Sequence, residues 1–172
     1  VTGAFHEDGF ADSCDGFGGG WRPDDVLRIM KDSRIGSYGS VGLIMVLGLK
    51  ASALFAMPST LALLSALFWA HIVSRWLSVS YLLDLHYVRG DGKSKPLATA
   101  MPLSHWLWAG LPILALLSFS DLPALMPMFL ALLIFRFGYA AYLRRRIGGY
   151  TGDALGAAQQ IAEIVVYLAF LL

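Results

Sequence analysis

Charge is what this sequence has least of. Only 15% of its 172 residues are Asp, Glu, Lys or Arg, where a soluble domain carries roughly a quarter. Mean hydropathy is correspondingly high, at +0.63. Cysteine is nearly absent: the single Cys14 excludes an internal disulfide and says nothing of the redox compartment. The four histidines are scattered and show no zinc-ligand spacing. There is no initiator Met, and the first residues already read as helix interior, so the chain is expected to lack its natural start. A cleaved signal peptide is the alternative, although no n-region or h-region is visible. These shortages exclude a water-soluble domain and a disulfide scaffold, and no nucleic-acid partner is expected.

What the chain has instead is apolar runs near the ~20 residues that cross a bilayer. Five spans are expected, at 38–57, 60–83, 104–119, 122–143 and 154–172, the third of them short. The fold class expected is therefore all-α, a polytopic membrane helix bundle forming one domain over 1–172 with the lipid bilayer as partner. Residues 1–40 form its polar motif region, with an acidic helix at the N-terminus on the cytoplasmic side. The connections at Pro58-Ser59 and Ser120-Asp121 carry no Lys or Arg. The alternate ones carry Arg22, Arg28, Lys31, Arg34, Arg89, Lys93, Lys95, Arg144, Arg145 and Arg146, ten of the thirteen basic residues. Basic connections face the cytoplasm, so the expected setting is a bacterial inner membrane with the site on its cytoplasmic face.

Carboxylates are scarce yet concentrated. "HEDGFADSCDGFGGG", residues 6–20, holds Glu7, Asp8, Asp12 and Asp15. In a helix Asp8, Asp12 and Asp15 share one face, at i, i+4 and i+7, while Glu7 lies about 100° round. Three like charges on one stripe become favourable when a cation sits among them, and oxygen ligands suit a hard divalent metal. A second motif, "RIMKDSRIGSYGSVG" (28–42), sets Asp32 before Gly36, Gly39 and Gly42, whose spacing lines one helix face for close approach. A third, "RRRIGGYTGDALGAAQQIAE" (144–163), places Asp153 among Gly149, Gly152 and Gly156, with Gln159, Gln160 and Glu163 following. Asp153 reads either as a helix N-terminal charge or, with the intramembrane Glu163, as part of a polar cavity.

Metal-bound carboxylates beside basic residues and Gly-rich backbone suit phosphoryl transfer. The residues alone support a magnesium-dependent transferase acting on a phosphate ester at a membrane face. CDP-alcohol phosphotransferases also carry Asp-rich helices, but their DG is followed two residues later by Ala-Arg. Here Asp8-Gly9 is followed by Phe10, Ala11 and Asp12. A cation transporter would place its acids at the bilayer centre and show paired repeats, and no internal repeat is seen.

Together the three motifs resemble the cobalamin synthases, or adenosylcobinamide-GDP ribazoletransferases, as do "VSRW" (73–76) and "KPLA" (95–98). The resemblance runs from about residue 3 to the end, and members usually carry further membrane segments before the acidic motif. It implies a magnesium-dependent inner-membrane enzyme, with adenosylcobinamide-GDP and α-ribazole (or its 5′-phosphate) as partners. The 3′-hydroxyl of the ribazole attacks the phosphate on cobinamide, GMP leaves, and adenosylcobalamin or its 5′-phosphate forms. Carried onto this sequence, Asp8, Asp12 and Asp15 hold Mg2+, with Glu7 a weaker ligand. Asp32 is a further ligand or the general base, and Asp153 a ligand or base from the opposite side. Lys31, Arg34 and Arg75 contact the pyrophosphate, and Gly36 and Gly152 the substrate. The oligomeric state is left open between monomer and homo-oligomer.

Plainer roles are expected elsewhere. His71, His86 and His105 are structural or interfacial, and His6 adjoins the acidic stripe. Lys50 either faces the cavity or snorkels, and Arg136 snorkels. Trp69, Trp76, Trp106 and Trp108 serve interfacial belts or packing. Arg144–Arg146 serve topology and anionic lipid, and Cys14 serves packing.

Overall fold

The structure, a computed structural model, describes residues 3–89, 101–118 and 120–172. Lys93, Lys95, the 95–98 motif and the last residue of the third expected span lie outside them. Every extended element described is helical: α1 (Phe5–Gly19), α2 (Pro23–Ile29), α3 (Ser37–Phe55), α4 (Thr60–Ser80), α5 (Leu103–Ala109), α6 (Leu111–Leu117), α7 (Leu122–Ile147) and α8 (Gly152–Ala169). A single turn of 3₁₀ helix, Tyr81–Leu83, extends α4. The one β feature among the described residues is a bridge between Tyr87 and Tyr150, tying the chain after α4 to the start of α8.

Among the described residues three helices are long and apolar enough to cross a membrane: Ser37–Phe55, Thr60–Leu83 and Leu125–Ile147. They correspond to the first, second and fourth expected spans. The third is not one helix. α5 ends and α6 begins at Gly110, which Pro112 follows and against which the Trp76 indole packs so closely that a Cβ would stand 2.9 Å from its nitrogen. Trp76 and Trp106 stack at 4.0 Å, and each indole N–H donates to the other's carbonyl. The fifth, α8, is not among the long apolar helices. Its Asp153, Gln159, Gln160 and Glu163 lower its hydropathy, and it lies packed by α1, α3, α4 and α7.

The ends of these helices have identifiable caps. Thr151 opens α8 by accepting from the Ala154 N–H at 3.1 Å, and Ser59 does the same for α4 from Ala62. Pro23 starts α2, where its missing N–H costs nothing. Gly148, at φ 77°, closes α7 in the left-handed conformation that glycine adopts most readily. Arg146 donates to the carbonyls of Phe17 and Gly20 and so finishes α1, a structural duty beyond the expected lipid contact.

α1 does not stand apart from the bundle. It runs antiparallel to α8 along that helix's first half and also packs on α3. Gly9 permits the approach, since a Cβ there would meet the Asp153 Cα at 2.9 Å, and Gly156 sits under the His6 carbonyl. Gly36 and Gly39 face Asp15 and Gly42 faces Cys14, so the glycine stripe of α3 is the groove that receives α1.

Candidate functional site

Two polar groups are assembled around α8. The deeper one centres on Glu163, which is 4% exposed. Its carboxylate accepts from Lys50 at 2.6 Å, lies 2.9 Å from His71 Nδ1 and 3.6 Å from Arg75, and also takes the Gln159 amide. Lys50 further donates to Gln160, which in turn donates to Glu7 at 3.2 Å. Lys50 therefore faces inward instead of snorkelling, and His71 belongs to a charged cluster. Glu7 is drawn away from the acidic stripe into this network, with Oε2 buried and without a hydrogen-bond partner among the described residues. Arg75 is held by the His71 carbonyl and Glu163.

The shallower group lies where α1 crosses the start of α8. Asp8 is exposed, Asp12 half-buried, and Asp153 comes from the facing helix. Burial, then the charges of Asp153 and Asp8, push the Asp12 carboxyl up to about 7. The cation that answers this charge is Arg89, 2.5 Å from Asp153 Oδ2 and anchored on the Met30 carbonyl at 2.8 Å. Even so, Oδ2 accepts no well-directed hydrogen bond among the described residues. Asp153 is not the cap of α8, since Thr151 fills that place.

Other expected site residues stand elsewhere. Asp15 is buried, and both its oxygens are taken: Oδ2 accepts from Gly36 N–H at 2.7 Å and Oδ1 from Gly39 N–H at 2.8 Å. It caps α3 from a neighbouring helix, and the Gly36 N–H is spent on that contact. Asp32 is exposed on the turn before α3 and held by Arg34 at 2.7 Å, which keeps its carboxyl down at about 2. Lys31 is exposed on the same turn. The structure pairs Asp32 and Arg34 with each other and does not bring them to Asp153. Arg136 does not snorkel but pairs with Asp84, which also takes Arg144, both at 2.5 Å.

Among the described residues no group of three or more His, Cys, Asp or Glu side chains is gathered tightly enough to hold a metal alone. Magnesium commonly binds through one or two carboxylates, the remainder of its shell being water and substrate phosphate. Asp8, Asp12 and Asp153 suit that arrangement, since their acids outnumber their counter-charge.

Beside this cluster a pocket of ≈ 230 Å³ opens between α1, α4 and α8. Arg75 and Gly152, separate motifs in the sequence, share its wall. Arg89 and Ser78 are contributors that sequence reasoning missed. Arg89 had shown itself only as one of many basic loop residues.

Fold and site thus define an all-helical bundle of membrane type, with a carboxylate cluster beside a small pocket where its first and last helices cross. The sequence model described as cobalamin-5-phosphate synthase matches residues 1–171, and the chain belongs to that family. It is 49% identical over 168 residues to an adenosylcobinamide-GDP ribazoletransferase of Ralstonia pickettii (strain 12J), covering 96% of this chain and 65% of that protein. A protein of the same name from Shewanella frigidimarina (strain NCIMB 400) is 47% identical, covering 99% and 67%. One from Shewanella sp. (strain W3-18-1) is 48% identical, covering 100% and 67%. The chain thus spans about two thirds of the length of these relatives. No solved structure matches it. The family membership sets aside the CDP-alcohol phosphotransferase and transporter readings.

Proposed function

We propose that this chain carries the reaction centre of a magnesium-dependent transferase that joins adenosylcobinamide-GDP to α-ribazole or its 5′-phosphate. The relatives' names support the reaction, and one observation carries its location: Asp8, Asp12 and Asp153 converge with more negative charge than Arg89 answers. Asp8 and Asp12 hold the metal, with Asp153 as ligand or base from α8. Bound magnesium supplies charge neutralisation on the phosphate oxygens of the donor. Asp153, freed from Arg89 as that guanidinium turns to phosphate, takes the proton of the ribazole 3′-hydroxyl. The new bond joins this oxygen to the phosphorus attached to cobinamide. The bond from that phosphorus to the bridging pyrophosphate oxygen breaks, and GMP leaves with the electron pair.

The cluster faces the cytoplasm of the inner membrane in this reading, because Arg89 and Arg144–Arg146 lie at the same end of the bundle as α1. In a Cys14→Ser background, Arg145→Cys is then labelled only from the cytoplasm and Asp121→Cys only from outside. The reading is tested by incubating purified full-length protein with magnesium, adenosylcobinamide-GDP and α-ribazole. It expects cobalamin and GMP in equal amounts, lost with a chelator. Absence of both products at saturating substrate refutes it.

A further inference from the structure

We propose that the pocket between α1, α4 and α8 is the seat of the acceptor's base, a flat, uncharged, bicyclic aromatic ring, and that Ser78 reads its one free ring nitrogen. This rests on the preceding reading of the reaction and adds which part of which substrate the pocket takes.

Size is the first argument. At ≈ 230 Å³ the pocket lies below the ~300–1,000 Å³ of sites that enclose drug-sized molecules. It admits a two-ring base and excludes a corrin macrocycle. Wall chemistry is the second. Phe5, Tyr87 and Tyr150 supply aromatic surface, and the two tyrosines meet edge-on at 5.5 Å. Among the described residues no carboxylate lines it; its polar side chains besides Ser78 and the tyrosines are His6, Gln159 and Arg75, and Glu163 and the His71 carbonyl fix Arg75 in place.

The third argument is an orphan group. Ser78 lines the pocket at 7% exposure, and its Oγ has no hydrogen-bond partner among the described residues. A buried hydroxyl without a partner is costly. A benzimidazole attached to ribose through one nitrogen offers a single acceptor, the other nitrogen, which the unpartnered Ser78 hydroxyl would satisfy. Guanine would bring several donors and acceptors to walls that are mostly apolar. Position is the fourth argument. Gly152 forms part of the wall and the next residue is Asp153, so a base in the pocket leaves its ribose beside the carboxylates.

The test measures α-ribazole binding to the detergent-solubilised full-length protein by calorimetry, alongside KM for both substrates. Val79→Phe, which fills the pocket from α4, is expected to weaken α-ribazole binding at least 30-fold. It should raise KM equally for α-ribazole and its 5′-phosphate and leave the donor's KM within twofold. Ser78→Ala is expected to cost 5- to 10-fold. An indole riboside, lacking the ring nitrogen, should lose as much against wild type and nothing further against Ser78→Ala. Unchanged α-ribazole affinity in both variants, or an effect on the donor's KM instead, overturns the proposal. Wild-type protein that binds α-ribazole in this pocket yet forms no cobalamin refutes the proposed reaction and leaves the pocket's assignment standing.

Discussion

Along α8, Asp153 in the first turn and Glu163 ten residues later meet opposite surroundings. Glu163 is enclosed by Lys50, His71 and Arg75 and by the Gln159 amide, so both its oxygens have partners. Asp153 has Arg89 on one side and the like charges of Asp8 and Asp12 on the other. A buried acid with matched partners joins helices: Lys50 brings α3, His71 and Arg75 bring α4, and Gln160 with Glu7 brings α1. An acid left with surplus negative charge keeps room for something positive. The difference separates a lock from the cluster proposed as the reaction centre.

The largest expected effect comes from the unmatched side. Asp12→Asn and Asp153→Asn should each lower single-turnover rates at saturating magnesium by 100-fold or more, the scale of a lost base or ligand. Both should remain folded, because Thr151 and not Asp153 caps α8. A rate within threefold of wild type would reduce Asp153 to a local charge.

On the matched side the response is stability. Glu163→Gln strands Lys50, whose side chain is 11% exposed, at a cost of about 3–5 kcal/mol. Thermal unfolding in detergent should show this, and adding Lys50→Met should restore most of it. Failure of that rescue would mean that the network is no lock.

Smaller effects sharpen the contrast within α1 itself. Asp15→Asn keeps one acceptor for two amide donors, Gly36 and Gly39, so about 2 kcal/mol of stability should be lost. Its magnesium dependence should not change. A shift in the magnesium requirement would return Asp15 to the metal. The smallest expected effect is Thr151→Ala, about 1 kcal/mol from the α8 cap, read as a small drop in unfolding temperature with activity retained.

Sequence periodicity placed Asp8, Asp12 and Asp15 on one stripe and Gly36, Gly39 and Gly42 on another, yet only Asp15 meets the glycines, at Gly36 and Gly39, while Gly42 meets Cys14 and Phe10. Period alone gives a face, not what opposes it. Asp15 therefore read like its neighbours on the stripe, although the amides at the start of α3 consume it. Arg89 and Asp84 each sit in loops whose partners are set by tertiary contacts, and nothing local marks them. The break at Gly110 was hidden because α5 and α6 form one continuous apolar run. The indole of Trp76, 34 residues earlier in the chain, fills the gap there. His71 seemed isolated because its partner, Glu163, lies 92 residues on.

The most direct test of the central claim, that surplus negative charge at the α1–α8 crossing marks the metal site, is manganese binding followed by electron paramagnetic resonance on the detergent-solubilised full-length protein. Manganese stands in for magnesium on oxygen ligands. One tightly held ion per chain is expected in wild type. It should be lost in Asp8→Asn and Asp12→Asn and kept in Asp15→Asn and Asp32→Asn. Manganese that survives Asp12→Asn but disappears with Asp15→Asn or Asp32→Asn would contradict the account.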